Sequence, residues 1–150
     1  MKNYFLRFLS VMMWIASKIY PYRLRQRVNS IRDIFYTMWI ENFMGKVGEK
    51  CRIQYPLLLQ GGGQRRVSLG SNTSLGHHCI LGCWESYTAN GVIECYEPEI
   101  IIGNDCNIGE YCHITAINKI SIGDGLLTGR FVYIGDNAHG GLHIDRIEIL

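Results

Sequence analysis

The sequence predicts an all-β solenoid of about four stacked coils preceded by two helices, and three observations predict it. An aliphatic-glycine pair returns every sixth residue at Ile102-Gly103 and Ile108-Gly109, and again at Ile122-Gly123. Strand side chains alternate and helical ones recur at about 3.6, so a beat of six requires a chain that turns a corner after each short strand. The beat also falls into four groups, starting at Val47, Leu69, Ile102 and Ile122. Finally, Cys51, Thr73, Cys79, Cys106, Cys112, Val132 and Ala138 each stand four places after a hexad's first residue, a position that wants something small and buried.

The elements follow in chain order. Residues 1–46 form a helical segment with eight Lys/Arg against two Asp/Glu, whereas the remainder carries seven against eleven. Residues 8–17 are uncharged, a run shorter than the roughly twenty residues a spanning helix needs. That run either packs on the first coil or lies on a membrane surface; only loosely does it mimic a signal peptide. Leu24, Val28, Ile31, Phe35 and Met38 step by three and four, making the second helix amphipathic, with Pro21 at its first turn.

Residues 47–140 carry the hexads. Val47-Gly48, Ile53 and Leu59 make the first coil, and Leu69-Gly70, Leu75-Gly76 and Leu81-Gly82 the second. Ile102-Gly103, Ile108-Gly109 and Ile114 make the third, and Ile122-Gly123, Thr128-Gly129 and Ile134-Gly135 the fourth. In this reading glycine lets the chain bend at each corner. Insertions fall at 60–68, at 83–99 and around Asn118 and Lys119.

Composition fits a folded domain, with 47% hydrophobic and 19% charged residues in 150. Six cysteines without a convincing signal peptide point to a reducing, cytoplasmic setting. Gly61-Gly62-Gly63 lacks phosphate-loop spacing, and an acidic body with no reader fold speaks against nucleic acid. Trp84, Tyr87 and Tyr96 in the long insertion could stack on a sugar ring or serve packing.

The hexads, the segment His113-Ile-Thr-Ala-Ile-Asn118 and the run from Ile122-Gly-Asp through Leu-Thr-Gly-Arg to Asp136-Asn-Ala-His139-Gly140 resemble the hexapeptide-repeat acyltransferases. They are most similar to bacterial O-acetyltransferases of capsule and O-antigen sugars, relatives of the galactoside and maltose acetyltransferases. The resemblance implies a single-stranded left-handed parallel β-helix, a homotrimer with sites between subunits, acetyl-coenzyme A as donor and no metal. It also implies a sugar or polysaccharide-precursor acceptor, with peripheral membrane contact through the N-terminal helix compatible with that role.

The implied chemistry moves an acetyl group from a thioester to a sugar hydroxyl. A base must take the hydroxyl proton, and imidazole titrates in the useful range. The resemblance places that general base on His139 and leaves Asn118, His113 and Asp136 as residues that could contact acceptor or orient the loop. For His113 and Asn118 a buried polar ladder is the rival reading, and for Asp136 a plain corner position.

Where galactoside-type relatives hold their acceptor with asparagine and aspartate, this chain has Gly109 and Ile117. Its acceptor is therefore unassigned. Further coils expected to shape the coenzyme groove do not follow, and 141–150 reads as the truncated loop of a longer enzyme. Two other functions stay open: a non-catalytic scaffold, and a zinc hydratase of the gamma-carbonic-anhydrase type built on His77 and His113.

Overall fold

The computed structural model describes residues 2–89 and 91–137. Two helices, α1 (Lys2–Ile19) and α2 (Tyr22–Ile40), lead through a short turn at Glu41–Phe43 into the strands. The first parallel sheet contains β1 (Lys46–Val47), β4 (Val67–Leu69), β9 (Glu99–Ile102) and β12 (Lys119–Ile122). A second contains β2 (Arg52–Ile53), β5 (Ser74–Leu75) and β10 (Asn107–Ile108). The third contains β3 (Leu57–Gln60), β6 (Cys79–Cys83), β11 (His113–Ala116) and β13 (Tyr133–Gly135). Within the long insertion, β7 (Ser86–Ala89) and β8 (Val92–Cys95) pair antiparallel.

The expectation of an all-β solenoid, a left-handed β-helix of about four coils, is corrected by this architecture. The described residues form two long helices, three small parallel sheets and one antiparallel pair, an α+β arrangement. Pairing offsets are unequal, because Lys46 pairs with Ser68, Ser68 with Ile101 and Ile101 with Ser121. After β10 the second sheet continues only as an isolated bridge between Asn107 and Leu127. A six-residue beat specifies where aliphatic side chains recur; it does not specify the class of the whole chain.

The beat does order the core locally. Val47, Leu69, Ile102 and Ile122 stand in one cross-strand row, as do Leu59, Leu81, Ile114 and Ile134. Leu69, Leu75, Leu81, Ile102, Ile108 and Ile114 are all buried in one hydrophobic cluster. Removing such rows from water is the main stabilising term here.

The small residue four places into the hexad has a second task beyond filling space. Cys51 Sγ donates to the Gly70 carbonyl at 2.9 Å and Cys79 Sγ to the Gly109 carbonyl at 3.1 Å. Cys112 Sγ likewise reaches the Gly129 carbonyl at 3.2 Å, and Thr73 Oγ1 the Gly103 carbonyl at 2.7 Å. A small side chain with a donor meets a corner carbonyl on the adjacent strand turn, which buried backbone requires.

The hexad glycines at 48, 70, 76, 103 and 109 answer to space rather than to bending. At Gly109 a Cβ would collide with the carbonyl oxygen of Gly129 and lie 2.6 Å from its carbon. Left-handed backbone occurs instead three places after the hexad start, at Lys50, Asn72, His78, Asp105, Tyr111 and Phe131. The expectation that glycine supplies the bend is therefore corrected.

α2 covers an open strand edge with an unexpected face. Its buried residues are Asp33, Thr37 and Ile40, while Leu24, Val28, Ile31, Phe35 and Met38, the apolar stripe, are exposed. Thr37 Oγ1 accepts from the Ile53 amide at 2.9 Å, and Asp33 Oδ1 from the Tyr55 amide at 3.3 Å. Tyr36 Oη accepts from the Leu57 amide at 2.9 Å and donates to the Leu57 carbonyl at 3.1 Å. β2 and β3 are edge strands, so this polar face satisfies groups that would otherwise template pairing.

α1 does not pack on the sheets. Residues 3–20 are exposed throughout, which removes the expectation that 8–17 pack on the first strand layer. Among the described residues no helix is long and apolar enough to cross a membrane.

Candidate functional site

The site is built on the outward face of the third sheet. Alternation along β11 sends Ile114 into the core and leaves His113 and Thr115 on the other face. His113 stands in register between Ile80 and Tyr133, and Thr115 between Gly82 and Gly135. The two glycines open that face for large neighbours. Trp84 Nε1 donates to Thr115 Oγ1 at 3.0 Å across Gly82, where a Cβ would fall 3.0 Å from the same indole nitrogen. The Tyr133 ring lies over Gly135, and its hydroxyl approaches the Asn137 carbonyl at 3.3 Å.

His113 is the chemically distinctive member. Its ring meets Tyr133 edge to face at 5.4 Å, and its Nε2 is buried without a hydrogen-bond partner among the described residues. Desolvation lowers its pKa from the ordinary imidazole value, so it is neutral at physiological pH. A neutral imidazole keeps one nitrogen able to accept a proton or a hydrogen bond.

At the other end of β11 a carboxylate organises the corner. Asp136 Oδ1 accepts from the Ile117 amide at 2.8 Å and Oδ2 from the Asn118 amide at 2.9 Å. The Asn118 carbonyl accepts from the Glu99 amide at 2.8 Å, and the residue itself is exposed. Asp136 and Asn118 are thus brought together, with Asp136 as the residue that fixes the turn. His113 lies on the same sheet but about 10 Å away along the strand, three residues at roughly 3.3 Å each. His139, the expected base, lies outside the described residues, as does the segment 141–150.

Tyr133 and Thr115 were not singled out by sequence reasoning. Tyr133 directly precedes Ile134, which places it outward beside His113 once the hexad frame is extended, and that signal was available. Of the three insertion aromatics, Trp84 alone joins the site. Tyr87 lies on β7, and the Tyr96 hydroxyl binds the Glu94 carboxylate.

A second cluster occupies a different corner. His78, Tyr111 and Phe131 stack at 4.9 and 5.0 Å. Glu110 bridges His77 Nε2 at 3.1 Å and Arg130 at 2.9 Å. An adjoining cleft of about 300 Å³ is lined by Gln54, Ser74, Asn107, Glu110, Thr128 and Arg130. His77 is committed here to Glu110 and His78, while His113 packs on Tyr133, so the two histidines of the zinc reading do not share a site. Among the described residues no three His, Cys, Asp or Glu side chains converge on one point.

No family model matches the chain, and no curated protein or solved structure matches it either.

Proposed function

We propose that the protein is an acyltransferase that moves an acetyl group from acetyl-coenzyme A to a sugar hydroxyl of a polysaccharide precursor. The observation that carries this reading is the outward face of the third sheet. It combines a neutral imidazole, with Nε2 unpartnered among the described residues, with the Tyr133 ring against that imidazole and, toward the other end of β11, the Trp84 indole beside the turn that Asp136 fixes. Aromatic faces flanked by a few polar groups suit a sugar ring.

In the proposed chemistry His139 takes the proton of the acceptor hydroxyl as its oxygen attacks the thioester carbonyl. The thiolate of coenzyme A leaves and is protonated, and an ester forms on the sugar. Asp136 supports this role because it holds the chain to Ile117 and Asn118 three residues before His139. Preorganising the segment that precedes a catalytic group is worth much of its effect. The trimer and the cytoplasmic setting belong to the same proposal.

Substitutions separate the roles. Expected for His139→Ala is a loss of about a hundredfold or more in kcat with acceptor binding retained, whereas Asn118→Ala raises acceptor KM. Wild-type transfer by His139→Ala would contradict the assignment of the base.

A further inference from the structure

The two faces of α2 are inverted relative to an ordinary surface helix, because its polar face is buried and its apolar stripe points outward. Leu24, Val28, Ile31, Phe35 and Met38 are 41 to 68% exposed and recur on one face. At about 100° per residue, Arg25 stands on one flank of that stripe and Arg27 on the other. Arg32 shares Arg25's flank but is paired with Asp33.

α1 continues the same chemistry. Asn3, Arg7, Ser10 and Ser17 share one side of it, and the remaining arc, including Phe5, Phe8 and Met12, is exposed. Residues 1–32 contain seven Lys/Arg and no Asp/Glu. A second copy seated on this surface would set arginine against arginine. A layer of anionic headgroups instead offers phosphates to the arginines and an acyl boundary to the phenylalanines.

We infer that α1 and the outer stripe of α2 lie in the interface of an anionic lipid bilayer. The buried face of α2 then serves as the joint that holds the sheets at the membrane surface. Neither helix is required to span, in keeping with their limited apolar length. This inference does not depend on the acetyl-transfer reading.

The test is flotation of the full chain with vesicles of equal parts phosphatidylcholine and phosphatidylglycerol, and with vesicles of phosphatidylcholine alone. Wild type is expected to float with the anionic vesicles, at least about tenfold better than with neutral ones, and to be released by high salt. The double variant Val28→Asp, Phe35→Asp alters only the outward face, and should keep its circular dichroism and lose flotation. Should that variant fold poorly, Arg25→Gln with Arg27→Gln must still weaken anionic binding. Absence of flotation by wild type at low salt overturns the inference, as does equal flotation by all variants. A sedimentation coefficient that falls in the stripe variant, with no form floating, overturns it in favour of a second copy.

Discussion

Thr37→Val makes the helix more apolar and is expected to make the protein less stable. The substitution keeps the volume and replaces the hydroxyl by a methyl, but the hydroxyl accepts from the buried Ile53 amide at 2.9 Å. It also donates to the Asp33 carbonyl at 2.7 Å. An orphaned buried N–H costs about 1–3 kcal/mol and the added methyl offsets about 0.8, so with the cost in the upper half of that range a net loss of about 1–2 kcal/mol follows. For a chain of this size that lowers Tm by about 2–8 °C. Urea denaturation followed by circular dichroism reads it as a lower midpoint at unchanged slope. The control is Phe35→Ser on the exposed stripe, which should stay within about 0.5 kcal/mol of wild type despite deleting a ring. Should Thr37→Val match wild type while Phe35→Ser destabilises by more than about 2 kcal/mol, the assigned faces of α2 are reversed and the edge-capping account fails.

Gly109→Ala forces a methyl against the Gly129 carbonyl and should destabilise by at least about 1–3 kcal/mol, whereas Gly123→Ala, with open space around its Cβ, should be near neutral in the same melts. Burial pushes the Cys79 and Cys83 thiols up to about 11, so a thiol reagent at mildly alkaline pH should label exposed Cys95 first and leave both untouched until unfolding. The His113 pKa is lowered in the folded state, so folding favours the neutral ring. Its contribution is present above the ordinary imidazole range and is lost as pH falls through the folded value. His113→Gln should therefore flatten the decline in stability between about pH 7 and pH 5, and an unchanged profile would count against the buried imidazole.

Much of the local order was legible because it is written in single positions. Every hexad start from Val47 to Ile134 except Thr128 falls in a strand, and Cys51, Cys79, Cys106 and Cys112 sit in the small inward position that the spacing required. What spacing could not show is which force selects each residue. The glycines at 70, 76, 103 and 109 look like bends, yet the bends are at Asn72, His78, Asp105 and Tyr111, and the glycines are forced by the strand turn stacked against them. α2 misleads for a related reason. A hydrophobic stripe is normally the buried one, but two open strand edges need donors and acceptors more than they need apolar cover, so Tyr36 and Thr37 face inward. The overall class was overreached because a regular beat was read as regular coils, whereas the strand pairings are unequally spaced and two long helices make the chain α+β. Within the site, the sequence named Asp136, Asn118 and His113 singly; that Asp136 holds the Asn118 turn while Tyr133 joins His113 follows from strand register, of which the hexad frame supplied only the outward place of Tyr133.

The most direct measurement incubates the protein with acetyl-labelled coenzyme A and a panel of hexoses and nucleotide-activated hexoses, and reads the acceptor by mass spectrometry. Acetyl transfer predicts label on a sugar as a base-labile ester, in step with thiol release and absent in His139→Ala. Thiol release without any ester, or neither release nor a coenzyme A-dependent shift in Tm, would contradict the account.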